Sequence, residues 1–272
     1  MPNSAARGIE PICRESSTRK ELRPSSGWAL FLDVDGTLLH LADTPEAVEV
    51  SDHLRRVLTD LAPVFGGAVA LISGRRVEDL DRLFSPLCLP AAGLHGLEHR
   101  AADGTVRMLG DTAMLDPLRG PLRDFANAHD GVILEDKERA LALHYRRAPQ
   151  VEVLARQFVA DLAGRRPENL RVIDGKMVLE IKPRLSDKGA AIRSFLDEPP
   201  FEGRLPVFIG DDVTDEDAFR AVNALGGHSI RVGDGRDSQA RWQLSDVNAV
   251  LEWLASLPGM IKLEAKHANT DE

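Results

Sequence analysis

LFLDVDGTLL, Leu30–Leu39, runs an apolar segment straight into two carboxylates, a glycine and a threonine. Apolar runs bounded by turn residues read as buried strands. Asp33 and Asp35 then sit at a strand's C-terminal end, the edge where open α/β sheets place their ligands. Two carboxylates so close repel each other, so a positive group is expected beside them.

Working outward, the order is strand, helix, strand, helix. ALFLDV is the first strand, and PEAVEVSDHLRRVLTDLA reads as a helix capped by Asp43 or Thr44. Gly66-Gly67 marks a turn, AVALIS a second strand, VEDLDRLF a helix, and LPAAGLHG a short strand running into a loop. This alternation predicts an α/β fold, a parallel sheet doubly wound with helices on both faces. The middle differs. LDPLRGPLRDFANAHD reads as a helix whose start Pro121 restricts, followed by a hairpin of GVILEDK and RALALHYRR. A helix near Pro149–Ala163 and a hairpin turning at Asp174-Gly175 complete a small α+β unit of order αββαββ. From Ser186 the α/β pattern resumes. The expected organisation is a core of residues 27–100 and 183–265, a cap domain of residues 101–182 inserted into it, and mobile tails at 1–26 and 266–272.

With 43% hydrophobic and 28% charged residues, most of the chain is expected to be globular. A formal net charge of -9 argues against a broad nucleic-acid footprint but not against a small anion. The two cysteines, Cys13 and Cys88, lack any metal-binding spacing, which fits a reduced compartment. The N-terminal segment lacks a signal peptide's apolar region, and no apolar run reaches membrane-spanning length. A cytoplasmic monomer with no membrane or nucleic-acid partner is expected.

A second acidic cluster, VFIGDDVTDED (Val207–Asp217), repeats the pattern of strand and carboxylates with Asp211, Asp212 and Asp215. In a parallel sheet both acidic ends point to the same rim, where several carboxylates ionise poorly without a cation. An all-oxygen donor set suits Mg2+ rather than zinc. A calcium EF-hand does not fit, because Gly36 follows Asp33 too early and the preceding segment is strand-like. Glu216 and Asp217 read as first-turn acids that favour a helix dipole. Ser73, Gly74 and Arg75 of LISGR can hold phosphate oxygens or form an ordinary turn. Lys188 of SDKGAAI opens a helix against its dipole, which a nearby anion rationalises.

The ordered set DxDGT, Ser, Lys and GDDxxD resembles the haloacid dehalogenase (HAD) superfamily, whose core is Rossmann-like. The resemblance implies that Asp33 is the nucleophile forming an aspartyl phosphate and Asp35 the general acid and base; the residues alone do not decide between them. It implies phosphate contacts from Thr37, Ser73, Gly74 and Lys188, and Mg2+ on Asp33, the Asp35 carbonyl and Asp211. Asp212 and Asp215 are implied to orient waters or Lys188.

More narrowly, LFLDVDGTLL, LISGR, GLHGLE, LEDKERALALHYR, VLEIKP, SDKGAAI and GDDVTDED together resemble the trehalose-6-phosphate phosphatase family. That implies a small-molecule substrate, trehalose 6-phosphate, with Glu135, Lys137 and Glu180 of the cap on the distal glucose and Arg75 lining the substrate. His95 matches a family position as a packed, hinge or ligand residue. Other sugar phosphatases acting on sucrose phosphate or mannosyl phosphoglycerate, a phosphosugar mutase, and a non-catalytic phosphosugar sensor are the alternatives.

Overall fold

Trp28–Leu32 is buried at every position, so its alternating side chains need apolar partners on both sides. In the computed structural model Leu30 and Leu32 join one core cluster, while Ala29 and Phe31 join another. The structure describes residues 9–11, 22–40, 48–108, 112–137, 140–165, 170–175, 177–183, 187–234 and 237–268. The elements in chain order are β1 (Glu10–Pro11), β2 (Trp28–Leu32), α1 (Asp52–Val64), β3 (Val69–Ile72), α2 (Val77–Phe84), β4 (Ala91–Gly93), β5 (Glu98–Arg100) and β6 (Val106–Met108). Then come α3 (Asp116–Ala128), β7 (Ile133–Asp136), β8 (Leu141–His144), α4 (Glu152–Ala163), β9 (Leu170–Gly175) and β10 (Val178–Pro183). The last are α5 (Lys188–Leu196), β11 (Leu205–Gly210), α6 (Glu216–Ala224), β12 (His228–Val232), β13 (Trp242–Leu244) and α7 (Val247–Ala268).

The chain forms two compact units, residues 1–108 with 187–272, and residues 109–186. The larger holds a nine-stranded sheet of order β1-β13-β12-β11-β2-β3-β4-β5-β6. Strands β13 to β4 run parallel, with α1, α2 and α7 contributing to the core on one face and α5 and α6 on the other. This is the doubly wound arrangement. Burying each Leu or Phe of these faces contributes roughly 1.5–3 kcal/mol. The register aligns Leu32 with Ile209 and with Leu71, so the chain leaves β2, β11 and β3 on one edge.

The smaller unit is a four-stranded antiparallel sheet of order β7-β8-β10-β9. Leu141, Leu143, Leu179 and Ile181 pack with Leu118, Leu122 and Phe125 of α3 and Val159 of α4. The opposite face carries Glu135, His144 and Glu180.

Several boundaries differ from expectation. Glu10 and Pro11 pair with Gln243 and Trp242, and Leu22 is buried in the core, so these parts of the expected N-terminal tail are built into the larger unit. Val106–Met108 adds an antiparallel edge to the larger sheet, which moves residues 101–108 out of the expected cap. Helix α7 continues to Ala268, past the expected start of the C-terminal tail. Helix α1 begins at Asp52 because the Ser51 side chain accepts from the Leu54 N–H and caps it. Asp43 and Thr44 lie outside the described residues. Helix α3 begins at Asp116, and Pro121, expected to restrict its start, lies inside it. Among the described residues no helix is long and apolar enough to cross a membrane.

Candidate active site

Asp33 follows β2 directly, and its N–H donates to the Ile209 carbonyl at 3.0 Å, extending the β2–β11 ladder past the strand end. Its carboxylate is buried, with Oδ1 2.6 Å from Lys188 Nζ. Lys188 opens α5, which Asp187 caps by accepting from the Ala190 N–H, and its ammonium also donates to Asp215 Oδ1 at 2.5 Å. Burial disfavours the Lys188 ammonium, but Asp33 and Asp215 outweigh it and hold its pKa above the usual lysine range. Burial pushes the Asp33 carboxyl up to about 8; Lys188 opposes the rise, while Asp215 and Asp211 add to it. Burial, with Asp215 next, raises Asp211 too. One lysine therefore does not neutralise this group of carboxylates.

Asp33, Asp211 and Asp215 bring carboxylate oxygens within 4.8 Å of one another. Asp215 differs from the other two. Its Oδ2 accepts from the N–H groups of Asp211 and Asp212, both at 2.9 Å, while Oδ1 takes Lys188. With both oxygens engaged, Asp215 holds the loop and the lysine. Gly210 makes room for it, since a Cβ there would lie 2.5 Å from Asp215 Cγ. The three carboxylates together form a cluster compatible with a hard cation, and Asp33 and Asp211 are less occupied by hydrogen bonds than Asp215. Asp211 Oδ1 accepts from the Thr37 hydroxyl at 3.1 Å, and Thr37 is fully buried. Asp211 also lies against Gly36, whose φ is +85° and whose added Cβ would come within 2.1 Å of Asp211 Oδ2. The glycine of DxDGT thus supplies both the turn and the space that brings the second acidic loop onto the first. Asp212 is turned away from this role: it is exposed and caps the following turn, accepting from the Val213 N–H at 2.7 Å and the Thr214 hydroxyl at 3.3 Å.

Both Asp35 oxygens accept from Arg75, Nε to Oδ2 and NH2 to Oδ1, each at 2.7 Å. Arg75, expected to contact substrate, is found paired with the candidate general acid. Ser73 is buried after β3 and its Oγ accepts from the Arg75 N–H at 3.1 Å. His95 packs over Gly74, where a Cβ would lie 2.8 Å from the imidazole, and its own N–H donates to the Ser73 carbonyl at 2.9 Å. His95 thereby braces the loop after β3 from a left-handed φ of 57°.

In the smaller unit, Lys137 Nζ lies 3.3 Å from Glu180 Oε2 and 3.8 Å from Glu135 Oε2. The three residues expected to act together are brought together. A fourth joins them: His144 Nε2 lies 2.8 Å from Glu135 Oε2. The alternation of LALH, with Leu141 and Leu143 turned into the core, was the available signal for an outward His144.

Residues 31–248 match the family model described as trehalose-phosphatase. The chain belongs to the trehalose-phosphatase family. A probable trehalose-phosphate phosphatase from Sinorhizobium fredii is 48% identical over 206 residues, covering 76% of this chain and 78% of that one. The trehalose-6-phosphate phosphatase of Escherichia coli is 39% identical over 249 residues, covering 91% and 93%. Among solved structures, the trehalose-6-phosphate phosphatase of Aspergillus fumigatus superposes with a TM-score of 0.69 at 29% identity, covering 85% of this chain and 92% of that one. A phosphatase of the haloalkanoate (HAD) superfamily from Bacteroides thetaiotaomicron has a TM-score of 0.62 at 16% identity, covering 92% and 100%, and shares the fold. This member of the trehalose-phosphatase family thus shares the fold of a HAD-superfamily phosphatase and carries a cluster of acidic residues compatible with metal binding.

Proposed function

We propose that this chain hydrolyses trehalose 6-phosphate to trehalose and inorganic phosphate, with Mg2+ as cofactor and an aspartyl phosphate as intermediate. The observation that carries the reading is the buried Asp33 carboxylate on Lys188 and beside Asp211, in a chain of the trehalose-phosphatase family. Asp33 attacks phosphorus, its new O–P bond forming as the bond to the sugar oxygen breaks. Asp35 gives its proton to that leaving oxygen, then takes one from the water that attacks phosphorus and frees phosphate and Asp33. To do so, Asp35 must first give up at least one of its two bonds to Arg75. Lys188, Ser73, Thr37 and the Gly74 backbone bind the phosphoryl oxygens. Asp33, Asp211 and the Asp35 carbonyl hold Mg2+, which when bound supplies the positive charge that keeps Asp33 ionised and tempers the dianion's repulsion. Glu135, Lys137 and Glu180 bind hydroxyls of the glucose that does not react.

The test is phosphate release from trehalose 6-phosphate, sucrose 6-phosphate and a small aryl phosphate. Trehalose 6-phosphate should be strongly preferred, and chelation should abolish turnover until Mg2+ is restored. Glu135→Ala, Lys137→Ala or Glu180→Ala should cut kcat/KM for trehalose 6-phosphate roughly ten- to a hundredfold, the effect of one lost charged hydrogen bond. Aryl phosphate turnover should change little. Equal rates on all three esters, or full activity in metal-free buffer, would overturn the reading.

A further inference from the structure

The register of the smaller sheet aligns Glu135 and Glu180 across the same residue of the intervening strand, Ala142. Ala142 is fully buried between them, and Lys137 reaches both carboxylates. His144 lies two residues further along that strand, on the same face, opposite Ile133 and Val178. Its Nε2 is 2.8 Å from Glu135 Oε2. A carboxylate at neutral pH only accepts, so Nε2 carries the proton and donates it.

The contacts fall on one oxygen of each acid. Glu135 Oε2 takes His144 and Lys137, and Glu180 Oε2 takes Lys137. Among the described residues neither Oε1 has a partner. The result is two acceptor atoms held in place and open to a ligand with paired hydroxyls. The Glu135 side chain is 50% exposed, so packing does not fix its rotamer. Ordering such a side chain only on binding lowers affinity.

We propose that His144 is a positioning residue for sugar recognition, presetting the Glu135 carboxylate so that Oε1 meets a substrate hydroxyl. The inference rests on the proposed role of Glu135 in binding the unreactive sugar. Lys137 is shared between two acids, whereas among the described residues of this face His144 engages Glu135 alone, so it sets the angle of that acid.

The experiment is a double-mutant cycle on the intact protein, with trehalose 6-phosphate and an aryl phosphate as substrates. His144→Leu should raise KM for trehalose 6-phosphate about three- to tenfold, with kcat and aryl phosphate turnover unchanged. His144→Gln, which keeps an N–H donor on a side chain of similar reach, should recover most of the loss. In a Glu135→Ala background, His144→Leu should add nothing further. An unchanged KM in His144→Leu, an effect of equal size without Glu135, a parallel fall on the aryl phosphate, or no recovery by glutamine would overturn the proposal while leaving Glu135 a sugar ligand. If Glu135→Ala itself leaves trehalose 6-phosphate turnover intact, the sugar-face reading beneath it fails as well.

Discussion

Asp215→Asn separates a carboxylate that organises the site from one that binds metal. The substitution preserves shape but replaces one acceptor oxygen with an NH2 donor. Asp215 is completely buried and accepts from Lys188 at 2.5 Å and from two backbone N–H groups at 2.9 Å. If the amide faces the Asp211 and Asp212 N–H groups, two part-buried donors lose their partner, at up to about 1–3 kcal/mol each. If it faces Lys188, one charged hydrogen bond worth about 1.5–3 kcal/mol is lost, while Lys188 keeps Asp33. The second arrangement is the less costly, so the expected destabilisation is about 2–3 kcal/mol. For a protein of this size that lowers Tm by roughly 4–5 °C. The three tryptophans, Trp28, Trp242 and Trp253, all lie in the core of the larger unit, so their fluorescence follows the unit that holds Asp215. The measurement belongs in chelator, so that metal binding adds nothing to the difference. Asp215→Ala, which removes all three bonds, should be worse. A stability within about 0.5 kcal/mol of the parent would refute the acceptor role, since that is the range of an ordinary surface change.

Asp33→Asn removes the anionic attacking oxygen, so phosphate release from both sugar and aryl esters should fall by orders of magnitude in a folded protein; near-normal turnover would refute the nucleophile. Acid should weaken the fold through His99 and His228. Burial holds both imidazoles below the ordinary value of 6.5, with Glu198 partly opposing this at His99 and Arg241 adding to it at His228. The folded state then binds protons less tightly than the unfolded chain. This contribution is fully present above about pH 6.5 and is lost as pH falls toward the folded pKa values, by at most about 1.4 kcal/mol per pH unit for each histidine. The raised Asp33 and Asp211 carboxyls change stability in the opposite sense over the same range, so the histidine contribution is read as the difference in urea midpoint between the parent and a His99→Gln, His228→Gln variant; that difference should shift against the parent on acidification, and a shift in the parent's favour would contradict the assignment.

Strands and their acidic ends were legible in the sequence because their signals are local. Five buried residues before Asp33, and the run LPVFIG before Asp211, carry enough apolar character to specify buried strands, and their parallel order places both acids on one edge. Lys188, Glu135, Lys137 and Glu180 were legible through motif order. Partners far apart in the chain were decided only by the tertiary structure. Arg75 meets Asp35 because parallel pairing sets the loops after β2 and β3 side by side, and no residue near either one announces the bidentate pair. Asp211 and Asp215 look alike as letters, yet the turn after β11 folds one toward Thr37 and saturates the other with backbone N–H groups and Lys188. His144 reaches Glu135 through the register of β7 on β8, where a slip of one residue would have turned it into the core. Hydrophobic period and turn chemistry act over a few residues. The direction of a polar side chain depends on the donors and acceptors that folding brings beside it.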